Sequence, residues 1–138
     1  MTRTVLESKS KTVTIGFDEP FCVIGERINP TGRKKLAAEL ELDDFSTVER
    51  DAIEQVACGA SVLDINSGAV FTNRMAKDPR YADNNFVEPP LMRELCTRVQ
   101  ALVDVPLCID SSVPAALKAG LEACEGRPLV NSVTGEEE

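Results

Sequence analysis

The chain has 138 residues, of which 43% are hydrophobic and only 4% aromatic, and a formal net charge of −8. That composition supports one folded domain with an ordinary core and excludes disorder, while the acidic balance (pI near 4.6) argues against a nucleic-acid or anionic-membrane surface. No apolar run approaches the roughly 20 residues of a membrane span and no signal-peptide core follows Met1, so the expectation is a cytoplasmic protein that meets small molecules or other proteins.

Residues 1–20 are polar, and the alternation Thr12-Val13-Thr14-Ile15 predicts an edge strand or hairpin arm, an amino-terminal extension ahead of the domain at 21–138. Phe21-Cys22-Val23-Ile24-Gly25 is the first continuous apolar run and reads as a buried strand. The turn after it presents Glu26, Arg27 and Asn29. Ser46-Thr47-Val48-Glu49 has the form of a capping box, and Val48, Ala52, Val56 and Ala57 follow at helical spacing until Gly59 ends the helix. Ser61–Asn66 is a second buried strand, ending in Asp64 and Asn66. A loop-like stretch from Ser67 to about Glu88 follows, a length that is usually functional or disordered.

Pro89-Pro90 can open the next helix, with Leu91, Leu95, Val99 and Leu102 on one face. Val105-Pro106-Leu107-Cys108-Ile109-Asp110 is the clearest strand: an apolar run that stops at a carboxylate, with Ser111 and Ser112 after it. Ser112 and Pro114 start a further helix that carries Leu117, Leu121 and Cys124 inward. Leu129-Val130-Asn131 is a fourth strand ending in an amide, and Thr134 with Glu136–Glu138 has the look of another helix start.

The alternation of strand and helix predicts an α/β fold with a parallel sheet. Right-handed crossovers then bring the strand carboxyl ends to one edge, where such folds bind ligands, so Glu26, Asn29, Asp64, Asn66, Asp110 and Asn131 should converge on one polar pocket. Singly, each has a plainer reading as a cap or turn residue. The chain has no histidine, which removes Ser-His and Cys-His dyads, imidazole metal sites and a histidine ligand for a corrinoid. Its five cysteines form no C-x-x-C pair and read as small buried groups of a reducing compartment, and no metal site is predicted. Carboxylates and carboxamides together suit a planar heterocycle. A carboxylate accepts two parallel N–H bonds from an amidine-like edge, and a pterin, a nucleobase or another guanidine-like ring would satisfy it.

Four stretches resemble one family in order and spacing: Ile24-Gly25-Glu26-Arg27-Ile28-Asn29-Pro30-Thr31-Gly32, Leu63-Asp64-Ile65-Asn66, Leu107-Cys108-Ile109-Asp110-Ser111-Ser112 and Val130-Asn131-Ser132. They are similar to the pterin-binding domain of methyltetrahydrofolate:corrinoid methyltransferases and to the folate domain of cobalamin-dependent methionine synthase. The resemblance implies a (β/α)8 TIM barrel, dihydropteroate-synthase-like, that binds methyltetrahydrofolate and passes its methyl group to cob(I)alamin carried by a partner corrinoid protein. It also implies a homodimer for the complete protein. Asp110 and Asn131 fall where the family hydrogen-bonds the pterin, Asp64 and Asn66 in the second-strand motif of the same pocket, and Glu26, Asn29 and Ser111 beside them. A complete barrel takes about 250 residues. The expectation is therefore the amino-terminal half of one, with the catalytic groups in the other half. Two further readings stand beside this one: a dihydropteroate synthase, which has a similar barrel and a similar aspartate-bearing third strand but different first- and second-strand motifs, and a non-catalytic pterin-binding half-barrel.

Overall fold

The computed structural model describes residues 2–68, 79 and 84–135. Ten elements follow one another: β1 (Thr4–Glu7), β2 (Thr12–Ile15), β3 (Ile24–Ile28), α1 (Lys34–Glu41), α2 (Ser46–Ala57), β4 (Val62–Asn66), α3 (Asn84–Leu102), β5 (Leu107–Asp110), α4 (Pro114–Ala123) and β6 (Leu129–Asn131). Strands β3-β4-β5-β6 form one parallel sheet in sequence order, and β1 pairs with β2 as an antiparallel hairpin. Sequential parallel strands joined by helices are the repeat of a (β/α)8 barrel, and the described residues form a part of one. No helix among them is long and apolar enough to cross a membrane.

Period-2 alternation divides the strand side chains between two layers. Leu63, Ile65, Leu107 and Ile109 pack with Leu36, Leu40, Val48, Ala52, Met92, Leu95 and Val99 of the helices in the main core. On the opposite face, Val62 and Cys108 pack with Leu6 of the hairpin, joined by Val13, Ile15, Ile24 and Leu129. The amino-terminal segment is thus more than an edge elaboration: Leu6 is 2% exposed. Glu7 and Arg127 exchange backbone hydrogen bonds of 3.0 and 2.9 Å, and Ser8 Oγ donates to Asp104 at 2.6 Å. Asp104 also accepts from the Ser10 hydroxyl. Those contacts hold the hairpin against the amino ends of the sheet strands.

Several local expectations are corrected. The first sheet strand is Ile24–Ile28, so Glu26 and Arg27 lie within it, and Phe21 lies ahead of it at 91% exposure. A helix at Lys34–Glu41, with Leu36 and Leu40 buried, was not foreseen. Its end places Asp43 in the left-handed region, with Asp43 and Asp44 N–H donating to the Leu40 and Glu39 carbonyls. Ser46 does not cap α2. It is the first helical residue after Phe45, and its N–H and hydroxyl both donate to Asp44. The predicted stop is observed: Gly59 (φ 107°) and Ala60 donate to the Val56 and Gln55 carbonyls, the paired bonds of a Schellman motif. Helix α3 begins at Asn84 rather than at the prolines, which lie inside it.

Ser112 is exposed and does not cap α4; Val113 precedes the helix without a side-chain cap, and Pro114 takes the first position. Leu121 and Leu102 face outward at 43% and 45% exposure. In α4 it is Ala116, Ala119 and Gly120 that are buried. A Cβ on Gly120 would meet Ile109 Cγ2 at 2.6 Å and Met92 Cγ at 3.0 Å, so only glycine lets α4 come this close to β5 and α3. Cys96 and Cys108 are buried and Cys22 and Cys124 half-buried, as small apolar groups should be, but Cys58 is exposed at the end of α2. The helix start foreseen from Thr134, like most of the loop foreseen after Ser67, lies largely outside the described residues.

Candidate functional site

The parallel ladder sets Asn66 opposite Asp110 and Asp110 opposite Asn131. Three polar side chains therefore stand in one row across β4, β5 and β6, each at the last position of its strand. Alternation puts this row on the same face as Val62, Cys108 and Leu129, the face that the hairpin covers lower down. One layer beneath the row lies Asp64, whose backbone partner is Cys108. Asp64 is buried at 6% exposure, Asp110 and Asn66 are half-buried, and Asn131 is exposed. A graded surface results, apolar at the hairpin, carboxylic in the middle and amide-rich at the strand ends.

Burial sets the protonation state of this layer. Asp64 loses hydration that its charged form needs, and Asp110 stands beside it, with Glu26 adding a third negative group. Together these push the Asp64 carboxyl up to about 7, and a hydrogen bond joins it to Asp110. Below about pH 7 Asp64 thus holds a proton, shared with Asp110 through that hydrogen bond. Burial and the same carboxylates push the Cys108 thiol up to about 12, so it stays a neutral, unreactive neighbour.

Glu26 reaches this group through a bulge. Gly25 pairs with Leu63 and Ile28 with Ile65, so Glu26 and Arg27 together stand opposite Asp64. The irregularity is held from α2: Gln55 Oε1 accepts the Arg27 N–H at 3.0 Å, while its Nε2 donates to the Asp51 carbonyl at 3.1 Å. A Cβ at Gly25 would lie 2.4 Å from Gln55 Oε1, which accounts for glycine there. Arg33 Nη1 bonds the buried Asp51 at 2.8 Å and also donates to the Arg27 carbonyl, fastening the exit of β3 to α2.

Two of the expected site residues are occupied locally. Asn29 Oδ1 accepts the Thr31 N–H at 2.9 Å, a turn-holding role. Ser111 is buried; its Oγ accepts the Val113 N–H at 3.0 Å and donates to Glu88 Oε2 at 3.2 Å, and its N–H donates to the Asn131 carbonyl at 2.9 Å. Asn66 joins both roles, in the row yet accepting the Gly68 N–H on Oδ1 at 2.8 Å. Asp64, Asp110, Asn131 and Glu26 remain turned to the shared face.

The sequence reading passed over Glu88 and Ser67. Glu88 is 7% exposed and burial raises its carboxyl pKa, while the buried Ser67 Oγ has no hydrogen-bond partner among the described residues. The available signal was an acid flanked by apolar Phe86-Val87 and Pro89-Pro90-Leu91, where a solvated side chain would be out of place. Among the described residues no group of three or more His, Cys, Asp or Glu is arranged to hold a metal. Grooves elsewhere are of a different character; one of about 420 Å³ between α2 and α3 is lined by Phe45, Val87, Leu91 and Arg98.

A carboxylate flanked in register by two carboxamides, over a protonated carboxyl, offers acceptors and donors along one line, as a flat heterocycle's edge requires. The family model described as pterin binding enzyme matches residues 25–138, starting within β3 and spanning every strand of the parallel sheet. This domain occurs in methyltetrahydrofolate:corrinoid methyltransferases and in dihydropteroate synthases. The chain belongs to the pterin-binding enzyme family.

Proposed function

We propose that the chain is the pterin-binding part of a methyltetrahydrofolate:corrinoid methyltransferase. The observation that carries this reading is the Asn66–Asp110–Asn131 row at the strand ends. Asp110 accepts two N–H bonds from the amino-amide edge of the pterin, and the amides of Asn66 and Asn131 complete the hydrogen bonding of the ring. Asp64 donates its proton to Asp110 from below and keeps that carboxylate oriented. The first-strand sequence Gly25-Glu26-Arg27-Ile28-Asn29 and the second-strand Asp64-Ile65-Asn66 favour the methyltransferases over the dihydropteroate synthases, whose corresponding motifs differ.

Methyl transfer breaks the N5–CH3 bond; the electron pair stays on N5, which must gain a proton for tetrahydrofolate to leave. A bound corrinoid supplies the nucleophilic Co(I) centre that accepts the methyl group. The chain has no histidine to serve as its lower ligand, so in this reading the corrinoid comes to the site on a partner protein and the chain's own residues hold and orient the pterin. The test is to incubate the full-length protein with methyltetrahydrofolate and a reduced corrinoid protein, and separately with p-aminobenzoate and the pterin pyrophosphate. Demethylation with no condensation is expected. Condensation without demethylation would establish the synthase reading instead, and neither reaction, with no saturable pterin binding, would leave a structural role.

A further inference from the structure

We infer that Glu88 is a positioning residue for the pterin site, acting through Ser111 on one strand end and through the Asn66–Gly68 turn on the next. The inference rests on the pterin reading for its functional consequence, but its physical basis is independent of it.

The Glu88 carboxyl is buried on α3, outside the row, where no ligand edge needs to reach it. Its Oε2 accepts from Ser111 Oγ at 3.2 Å. Ser111 directly follows Asp110, and its own N–H and Oγ tie it to the Asn131 carbonyl and the Val113 N–H. Ser111 thus ties the end of β5 to β6 through its N–H and to the start of α4 through its hydroxyl, and Glu88 fixes the rotamer of that hydroxyl. The second carboxyl oxygen faces the other turn. A Cβ placed on Gly68 would lie 3.2 Å from Glu88 Oε1 and 3.1 Å from Asn66 Oδ1, so these oxygens crowd the same small space. A side chain at Gly68 would press on both oxygens, so the glycine leaves room for the Glu88 carboxyl beside the turn in which the Gly68 N–H donates to Asn66 Oδ1.

A buried carboxyl that lost its hydroxyl partner would not regain water in exchange, so the Glu88–Ser111 hydrogen bond holds both groups in place. Both turns that the carboxyl touches carry side chains of the row. Removing Glu88 should loosen Asp110 and Asn66 together while leaving them chemically intact, which lowers the affinity for the ring and not the chemistry once the ring is held.

The experiment uses the full-length protein and the variants Glu88→Gln, Glu88→Ala, Ser111→Ala and the double variant Glu88→Ala/Ser111→Ala. Methyltetrahydrofolate affinity is read by calorimetry, KM and kcat by demethylation, and amide hydrogen exchange at Gly68, Ser111 and Val113. Glu88→Ala should weaken binding and raise KM about tenfold, change kcat less than twofold, and speed exchange at the three amides. Glu88→Gln, which keeps an acceptor of the same shape, should restore most of the affinity. The double variant should be weakened by less than the product of the two single effects, because the residues act in one chain. Unchanged exchange at Gly68 and Ser111 in Glu88→Ala would overturn the inference, as would independent effects of Glu88 and Ser111. Wild-type protein that binds no pterin would overturn the functional reading alone, since the exchange measurement still decides the role of Glu88 in holding the two turns.

Discussion

Replacing Asp64 by Asn should remove a pH-dependent loss of stability that the wild-type protein suffers between about pH 4 and 7. Asp64 moves from an unperturbed 3.8 to about 7 in the fold. In that window the unfolded chain has released the proton and the native chain still holds it, so the native state binds more protons and stability falls as pH rises. The contribution is fully present below the unfolded value and is gone once pH passes the folded one. The rise of this carboxyl from 3.8 to about 7 amounts to roughly 4 kcal/mol. The amide of Asn is close in shape, can donate to Asp110 as the protonated acid does, and does not titrate. Urea denaturation at pH 5, 6, 7 and 8 should therefore show the wild type losing stability relative to Asp64→Asn by roughly 1 kcal/mol per pH unit, levelling off as pH passes about 7. The variant should be the more stable protein at pH 8. Glu88, also raised by burial, contributes in the same direction but cancels in the difference between the two proteins. A difference that does not change with pH, or a variant less stable than wild type at pH 8, would refute the protonated, buried Asp64.

Two other outcomes follow from the same geometry. Asp110→Asn should weaken methyltetrahydrofolate binding by about 1.5–3 kcal/mol, against about 1 kcal/mol for Asn131→Ala, because the first loses a charge-assisted pair and the second a neutral bond; calorimetry that ranks them the other way would contradict the assigned roles. Leu6→Ala should cost about 2–5 kcal/mol in urea denaturation, since Leu6 is buried against Val62 and Cys108, and a loss below 1 kcal/mol would mean that the hairpin is dispensable to the core.

The parts of the fold that could be read from the sequence are those where burial is two-sided. Strands β4 and β5 are covered by helices on one face and hairpin or neighbouring carboxylates on the other, so they are almost wholly buried and apolar apart from Asp64, and their ends stand out at Asn66 and Asp110. Helix α2 showed itself through Val48 and Ala52 and through Gly59 in its left-handed exit. Where one face is open the signal fails: β3 has Glu26 and Arg27 inside it, permitted by the bulge and by Gln55, and Phe21 only imitates a strand residue. Helix α1 buries two leucines and has no side-chain cap, too little pattern to separate it from a charged loop. The site behaved likewise. Register, which strand ends alone predict, put Asn66, Asp110 and Asn131 in line; the depth of Asp64 and the role of Glu88 depend on neighbours from other elements, and no local window contains them.

Depth also links the hairpin to the chemistry of the row. Alternation along β4 and β5 leaves Val62 and Cys108 one layer below Asp64 and Asp110, on the face where water would otherwise enter from the amino ends of the strands. Leu6 closes that face, with Val13 and Ile15 packed around it, and the Glu7–Arg127 bridge and the Asp104 hydrogen bonds hold the hairpin in place. Desolvation is the largest cause of the raised Asp64 value, ahead of the repulsion from Asp110. An apolar floor sealed by residues that precede the family match at residue 25 is thus part of what keeps a proton on Asp64 within it. A hydrated floor would restore dielectric screening and let Asp64 ionise nearer the ordinary carboxylate range. Asp110 would then face a second full charge in place of a donor. The segment that looks least related to pterin binding in the sequence therefore supports, at two removes, the carboxylate on which the proposed recognition of the ring depends.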